Sequence, residues 1–155
     1  MINKPVYIHY GDDTFRIPHP IVNRQFFTKP RGGLWASRKD GDMTWKDWCE
    51  SEEFHLDRLN MSFEFTLKDD ARILTLSDPE QLLDLPKTPY LDPVRWPCEC
   101  LSVYLDFEKL KEQYDAIELT NICGFYWSLY GWDCNSILIM NPDIVEVVSN
   151  EREEI

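Results

Sequence analysis

Residues 60–67, NMSFEFTL, alternate without a break: Met61, Phe63, Phe65 and Leu67 share one side of an extended chain, and polar residues stand between them. Successive side chains of a strand point to opposite faces, so this period of two predicts a half-buried strand with an apolar face on a core. KDDA makes a turn, and RILTL follows as a second strand. The pair commits this part of the chain to a sheet.

The other elements are read against that pair. VYIHY, residues 6–10, is β-branched and aromatic and stops at GDD, a strand closed by a turn. RIPHPIVNRQFFTKP, with three prolines and no sustained period, is an irregular connection. GGLWAS is a short strand entered through glycines. Thr44, with Asp47 three residues on, predicts a capping box for a helix carrying Trp45 and Trp48. Asp78 caps a helix with Pro79 at its first position. Prolines 86, 89, 93 and 97 exclude a helix or central strand there and predict an ordered loop or lid. Asp106 caps FEKLKEQY, DAIEL is a short buried strand, and the aromatic stretch TNICGFYWSLYGWDCN leads into SILIM and, past the Asn141-Pro142 turn, DIVEVV. This order is α+β with a few short helices and lacks the regular alternation of a doubly wound sheet. With no repeat and no linker, a single domain is expected over 1–155, its residues 150–155 an acidic tail.

Composition narrows the function. A chain of 155 residues, 43% hydrophobic and 14% aromatic, can fill one core. No apolar run reaches spanning length, and MINKPVYIHYGDD lacks the apolar stretch of a signal peptide, so a cytoplasmic protein without a membrane partner is expected. The five cysteines form no CxxC pair and no histidine-partnered spacing; reduced, mostly buried thiols are expected, Cys98 and Cys100 packing on one strand face, with no metal site. A formal charge of −12 opposes nonspecific nucleic-acid binding. It leaves an ordinary soluble protein, or a small acidic inhibitor mimicking nucleic acid in a partner's basic groove, although much of the charge sits at segment ends such as SNEREEI. GxGxxG, P-loop, HExxH and GxSxG are all absent. Of the three histidines, His19 and His55 are read as surface groups, whereas His9 closes a strand beside Tyr10 and Gly11, where a backbone can approach a ligand.

In KPRGGLWAS, residues 29–37, Trp35 is either a core anchor or the wall of a pocket for a flat ligand. The glycines before it allow a close approach, and the irregular segment ahead suggests a loop edge; both favour the pocket wall. Taken in order, IHYG, GGLWAS, FEFTLKDDARILTL, YDAIEL and SILIMNPDIVEV resemble the ADP-ribosyltransferase-like domains, in the branch related to poly-ADP-ribose polymerases and phage or toxin transferases. That resemblance covers most of the chain, through short motifs. It implies split antiparallel sheets, NAD as a substrate, and transfer of ADP-ribose to a protein, nucleic acid or small molecule, as a toxin, effector or phage-conflict protein would perform.

The resemblance also assigns roles. The family's first-strand histidine, which contacts the adenosine ribose, falls on Tyr10 with His9 one place earlier, and pleating sends those two side chains opposite ways. The tyrosine that stacks on nicotinamide falls on Trp35. A second aromatic wall falls on Trp48, with Trp45 as the alternative, and Ser37 is placed to hold the nicotinamide amide or the ribose. The catalytic glutamate position falls on Ser136, beside Asn135, and a serine supplies no negative charge to an oxocarbenium-like ribose. Asp133 and Glu118 are the candidate substitute carboxylates, against the plainer readings of a turn residue and an ion-paired or solvent-facing strand residue. The missing glutamate also motivates an alternative: a degenerate domain that binds NAD or ADP-ribose without turnover.

Overall fold

The structure, a computed structural model, describes residues 4–24, 27–88, 103–129 and 131–148. Among the described residues seven strands, β1 (Tyr7–Tyr10), β2 (Leu34–Arg38), β3 (Ser62–Leu67), β4 (Ile73–Leu76), β5 (Ala116–Leu119), β6 (Ser136–Ile139) and β7 (Val145–Val147), form one sheet in the order β4-β5-β6-β2-β1-β3-β7. Short helices α1 (Trp45–Glu52) and α2 (Phe107–Gln113) and several 3-10 turns lie in the described connections. The architecture is α+β.

The alternating stretch behaves as its period demands: Phe63, Phe65 and Leu67 of β3 are buried, while Met61 falls just outside the strand and is exposed. The sheet departs from an all-antiparallel one at one edge, where β4 and β5 run parallel. The connection between them holds a 3-10 turn (Pro79–Asp84) and α2, and a crossover of that length returns the chain in the same direction. Asp78 and Pro79 open that 3-10 turn, not an α-helix. The predicted capping box on α1 is present, Thr44 N–H donating to the Asp47 carboxylate at 3.0 Å, and Asp106 caps α2 by accepting from Lys109 N–H at 3.2 Å.

Strands β5 and β6 are buried along their whole length because both faces are covered. On one face Ile117 and Leu138 meet Leu110, Phe107 and Trp132; on the other, Ile137 and Ile139 meet Tyr7 and Phe65. Two buried carboxylates tie the strands laterally. Glu118 of β5 accepts from Arg38 Nε at 2.7 Å, from a second guanidinium N–H at 3.0 Å and from the Tyr7 hydroxyl at 3.0 Å. Asp115 accepts from Arg72 N–H at 2.8 Å, from the Arg72 guanidinium and from the Asn141 amide, tying the start of β4 to the end of β6.

The Asp115 contacts give a pH signature. Burial raises the Asp115 pKa, but the hydrogen bonds from Arg72 and Asn141 outweigh it and hold the carboxyl below the ordinary aspartate range. A depressed folded-state pKa adds stability that is complete above the unfolded value of about 3.9 and is lost as pH falls through the folded value. Asp115→Asn is therefore expected to lower unfolding stability by about 1.5–3 kcal/mol at neutral pH, the worth of hydrogen bonds to a charged group. The difference from wild type should shrink below about pH 4; urea midpoints at pH 7 and pH 3 measure both.

Cys49 and Cys134 are buried and Cys123 is exposed, all three as free thiols. Cys98, Cys100, prolines 89, 93 and 97, and the acidic tail lie outside the described residues. Among the described residues no helix is long and apolar enough to cross a membrane.

Candidate functional site

The sheet opens where β1 leaves β2. Strand β2 pairs with β6 through Leu34, Trp35 and Ala36, but with β1 only through Ser37 and Arg38, opposite Ile8 and Tyr7. His9 and Tyr10 thus continue along β3 with no β2 residue beside them. The widening gap is bridged by one hydrogen bond, His9 Nδ1–H donating to the Trp35 carbonyl at 2.6 Å, which leaves Nε2 as the ring nitrogen a ligand can use.

A cavity of about 290 Å³ fills this gap. Trp35 forms one wall, half-buried, with the buried Trp132 edge-on against it at 4.9 Å between ring centroids. Trp45 from α1 stands across the opening, and His9, Tyr10, Asp133, Cys134 and Ser136 complete the interior. Lys29, His55 and Arg58 bring nitrogen to the rim. Burial, helped by neighbouring carboxylates, raises the Tyr10 pKa, so this phenol is neutral at physiological pH. Burial pushes the Cys134 thiol up to about 11, which leaves it protonated and a poor nucleophile.

Several sequence expectations place differently here. His9 and Tyr10 do point to opposite faces of β1, yet both line the cavity, because it lies along the open edge of the strand and not over one face. Trp48 does not line the cavity. It stacks on the outer side of Trp45 at 5.1 Å and 13°, with Phe54 edge-on at 5.3 Å, so Trp45 is the wall and Trp48 its backing. Ser37 is occupied structurally: its hydroxyl donates to the Asn135 carbonyl and accepts from Trp45 N–H, each at 3.0 Å, and it is 1% exposed. That contact positions Trp45, so Ser37 acts through the wall and not on a ligand. His55, read as a plain surface group, is exposed but stands on the rim.

The glycines before Trp35 serve the chain itself. Gly32 has φ +80° and a Cβ there would lie 2.2 Å from the Pro20 carbonyl oxygen; Gly33 has φ +74° and would meet Leu138 and Ile21 side chains. They admit the segment 19–21, which crosses over them, and neither lines the cavity. Gly11, expected to let the backbone approach a ligand, does not line the cavity: with φ +105° it turns the chain at the end of β1, donates to the Met61 carbonyl and lets the Arg58 guanidinium rest against it.

The carboxylates separate cleanly. Glu118 is absent from the cavity lining and is consumed by Arg38 and Tyr7; the burial and that partnership on β5 are the ion-paired reading. It borders a wider hollow of about 510 Å³ on the far side of Ser136, whose described walls carry no aromatic ring. Asp133 lines the Trp35 cavity, partly exposed, with Lys29 Nζ 4.0 Å away. Ser136 lines it too, but its hydroxyl donates to the Cys134 carbonyl at 3.2 Å. Asn135 is structural, its side chain accepting from Ile122 N–H and donating to the Asp42 carbonyl.

Trp132 and Arg58 were not singled out from sequence. The indole of Trp132 sits in a run of aromatics where composition predicts packing, and Arg58 lies in LDRLN, which has no motif at all. Comparison with known protein families, characterised proteins and solved structures finds no match to this chain.

Proposed function

We propose that the cleft between β1 and β2 binds the nicotinamide end of NAD and that the protein is an ADP-ribosyltransferase-like enzyme. One observation carries this reading: Trp35, Tyr10 and Ser136, the positions the family resemblance selects from separate parts of the sequence, face a single cavity. An aromatic-walled hollow with a few polar groups is the ordinary form of a small-molecule site. At about 290 Å³ it accommodates a flat ring with its ribose, not a whole dinucleotide. The remaining phosphates and adenosine would run along the rim, where Arg58 and His55 supply donors.

In this reading the nicotinamide lies between Trp35 and Trp45. The C1′–N bond breaks with its electron pair going to the departing nicotinamide, which becomes neutral, and the ribose acquires oxocarbenium character. Asp133 supplies the negative charge that the family places on a glutamate, a role that Ser136 cannot take and from which Glu118 is turned away. An acceptor oxygen or nitrogen then attacks C1′ and releases its proton to solvent.

Titration of NAD against tryptophan emission tests binding, because Trp35, Trp45 and Trp132 all line the cavity. Quenching is expected, with Trp35→Ala weakening NAD by at least about tenfold and Trp35→Phe, which keeps a flat ring, by far less. Absence of quenching would remove the NAD reading and leave an acidic inhibitor, which would bind a basic partner in a salt-sensitive way. Quenching without nicotinamide release would favour the degenerate domain, a reading supported by the internally satisfied Ser136 hydroxyl and the ion-paired Glu118.

A further inference from the structure

The Lys29 ammonium lies over the Trp35 ring, 5.3 Å from its centroid, and 4.0 Å from the Asp133 carboxylate. All three residues line the same cavity. An aromatic face attracts cations through its quadrupole, and a carboxylate beside it adds to that attraction. The place between Trp35 and Asp133 is therefore built for positive charge, and the chain's own lysine fills it. Trp35 is held by strand pairing and by the buried Trp132, whereas Lys29 sits on a partly exposed connection with a long, rotatable stem.

We propose that Lys29 is a displaceable internal occupant of a cation subsite, and that the cleft selects a positively charged aromatic ring over a neutral ring of the same shape. The inference rests on the reading of the cleft as a nicotinamide site and adds its specificity: an oxidised pyridinium ring displaces Lys29 into solvent, and a reduced, neutral ring gains less by doing so. A lysine that instead served to bind phosphate would have the opposite effect when removed.

The test uses the full chain and two small probes, 1-methylnicotinamide, which is cationic, and nicotinamide, which is neutral and nearly isosteric, both followed by tryptophan emission. The wild type is expected to bind the cation about tenfold more tightly than the neutral ring. Lys29→Met, which keeps the stem and removes the charge, is expected to tighten the cation by about three- to tenfold and the neutral ring by less. The wild-type comparison needs no variant, and an unchanged unfolding midpoint shows that Lys29→Met is folded. Equal affinity for the two rings, or weaker cation binding in Lys29→Met, overturns the inference while leaving the nicotinamide site intact. If neither ring nor NAD quenches the wild type, the site reading and the inference fall together.

Discussion

Gly32→Ala is expected to cost about 3–5 kcal/mol of unfolding stability, the largest effect of any glycine-to-alanine change in this chain. Gly32 has a φ of +80°, where an L side chain is strained by about 1–2 kcal/mol even in open space. Here the space is closed. A Cβ would stand 2.2 Å from the Pro20 carbonyl oxygen and 2.5 Å from that of His19, and both are backbone atoms that cannot rotate aside. Relief requires the segment 19–21 to lift. That breaks the Gly33 N–H bond to the His19 carbonyl and draws Ile21, 2% exposed, out of the core. Gly131→Ala separates the two causes, because Gly131 has φ +104° but its nearest neighbour to a new Cβ is Thr28 Oγ1 at 3.5 Å. It should show the backbone strain alone, about 1–2 kcal/mol. Urea unfolding of the two variants gives the comparison; a Gly32→Ala protein no less stable than Gly131→Ala would mean that segment 19–21 is not held as described.

Asp133→Asn is expected to slow nicotinamide release from NAD by about 10²–10³-fold and to weaken NAD binding by no more than about tenfold, the share of the cation preference that the carboxylate adds. Bound NAD carries its positive charge on the ring and the departing state carries it on the ribose, so a carboxylate that faces the ribose more closely than the ring acts more on the barrier than on affinity. Release of nicotinamide to water can be followed without knowing the acceptor. Two variants fix the assignment. Ser136→Ala should change the rate by less than about tenfold, since that hydroxyl is already donated to the Cys134 carbonyl. Glu118→Gln should act on stability before rate, since the carboxylate it replaces holds Arg38 and Tyr7 and faces away from the cavity. A full rate in Asp133→Asn would remove Asp133 as the charge that stabilises the departing ribose; quenching with no nicotinamide release from the wild type is the result that returns the chain to the degenerate reading.

Local patterns carried much of the fold. The period of two in 61–67, the Thr44–Asp47 capping box and the Asp106 cap are decided by neighbours a few residues apart, and each appears as an element where the sequence places it. Asp78-Pro79 marks a start correctly yet leads into a 3-10 turn, because the cap specifies where a helix begins and not how tightly it winds. The candidate site was legible in part. Trp35, Tyr10, His9, Asp133 and Ser136 do share a cavity, whereas Gly11, Ser37, Glu118 and Trp48 do not line it. Ser37 and Glu118 look the same in sequence whether their partner is a ligand or another residue, and their partners, Asn135 and Arg38, lie 98 and 80 positions away; Trp48 and Trp45 stand three residues apart on α1, and only the packing of the helix decides which of them lines the cavity.

By itself the sequence determined the periodicities, the caps, the absence of common nucleotide and hydrolase motifs, and a strongly acidic single chain with enough apolar residues for one core. These are short-range or summed properties, which survive in any arrangement of the elements. Only the tertiary structure decided that β4 runs parallel to β5, that β1 parts from β2 after Ile8 to open a cavity, and that Gly32 and Gly33 yield to the chain's own backbone and core. It alone placed Asp133 on the cavity and Glu118 against Arg38, because which groups a carboxylate meets depends on which strands lie side by side, and that is settled by packing over the whole sheet.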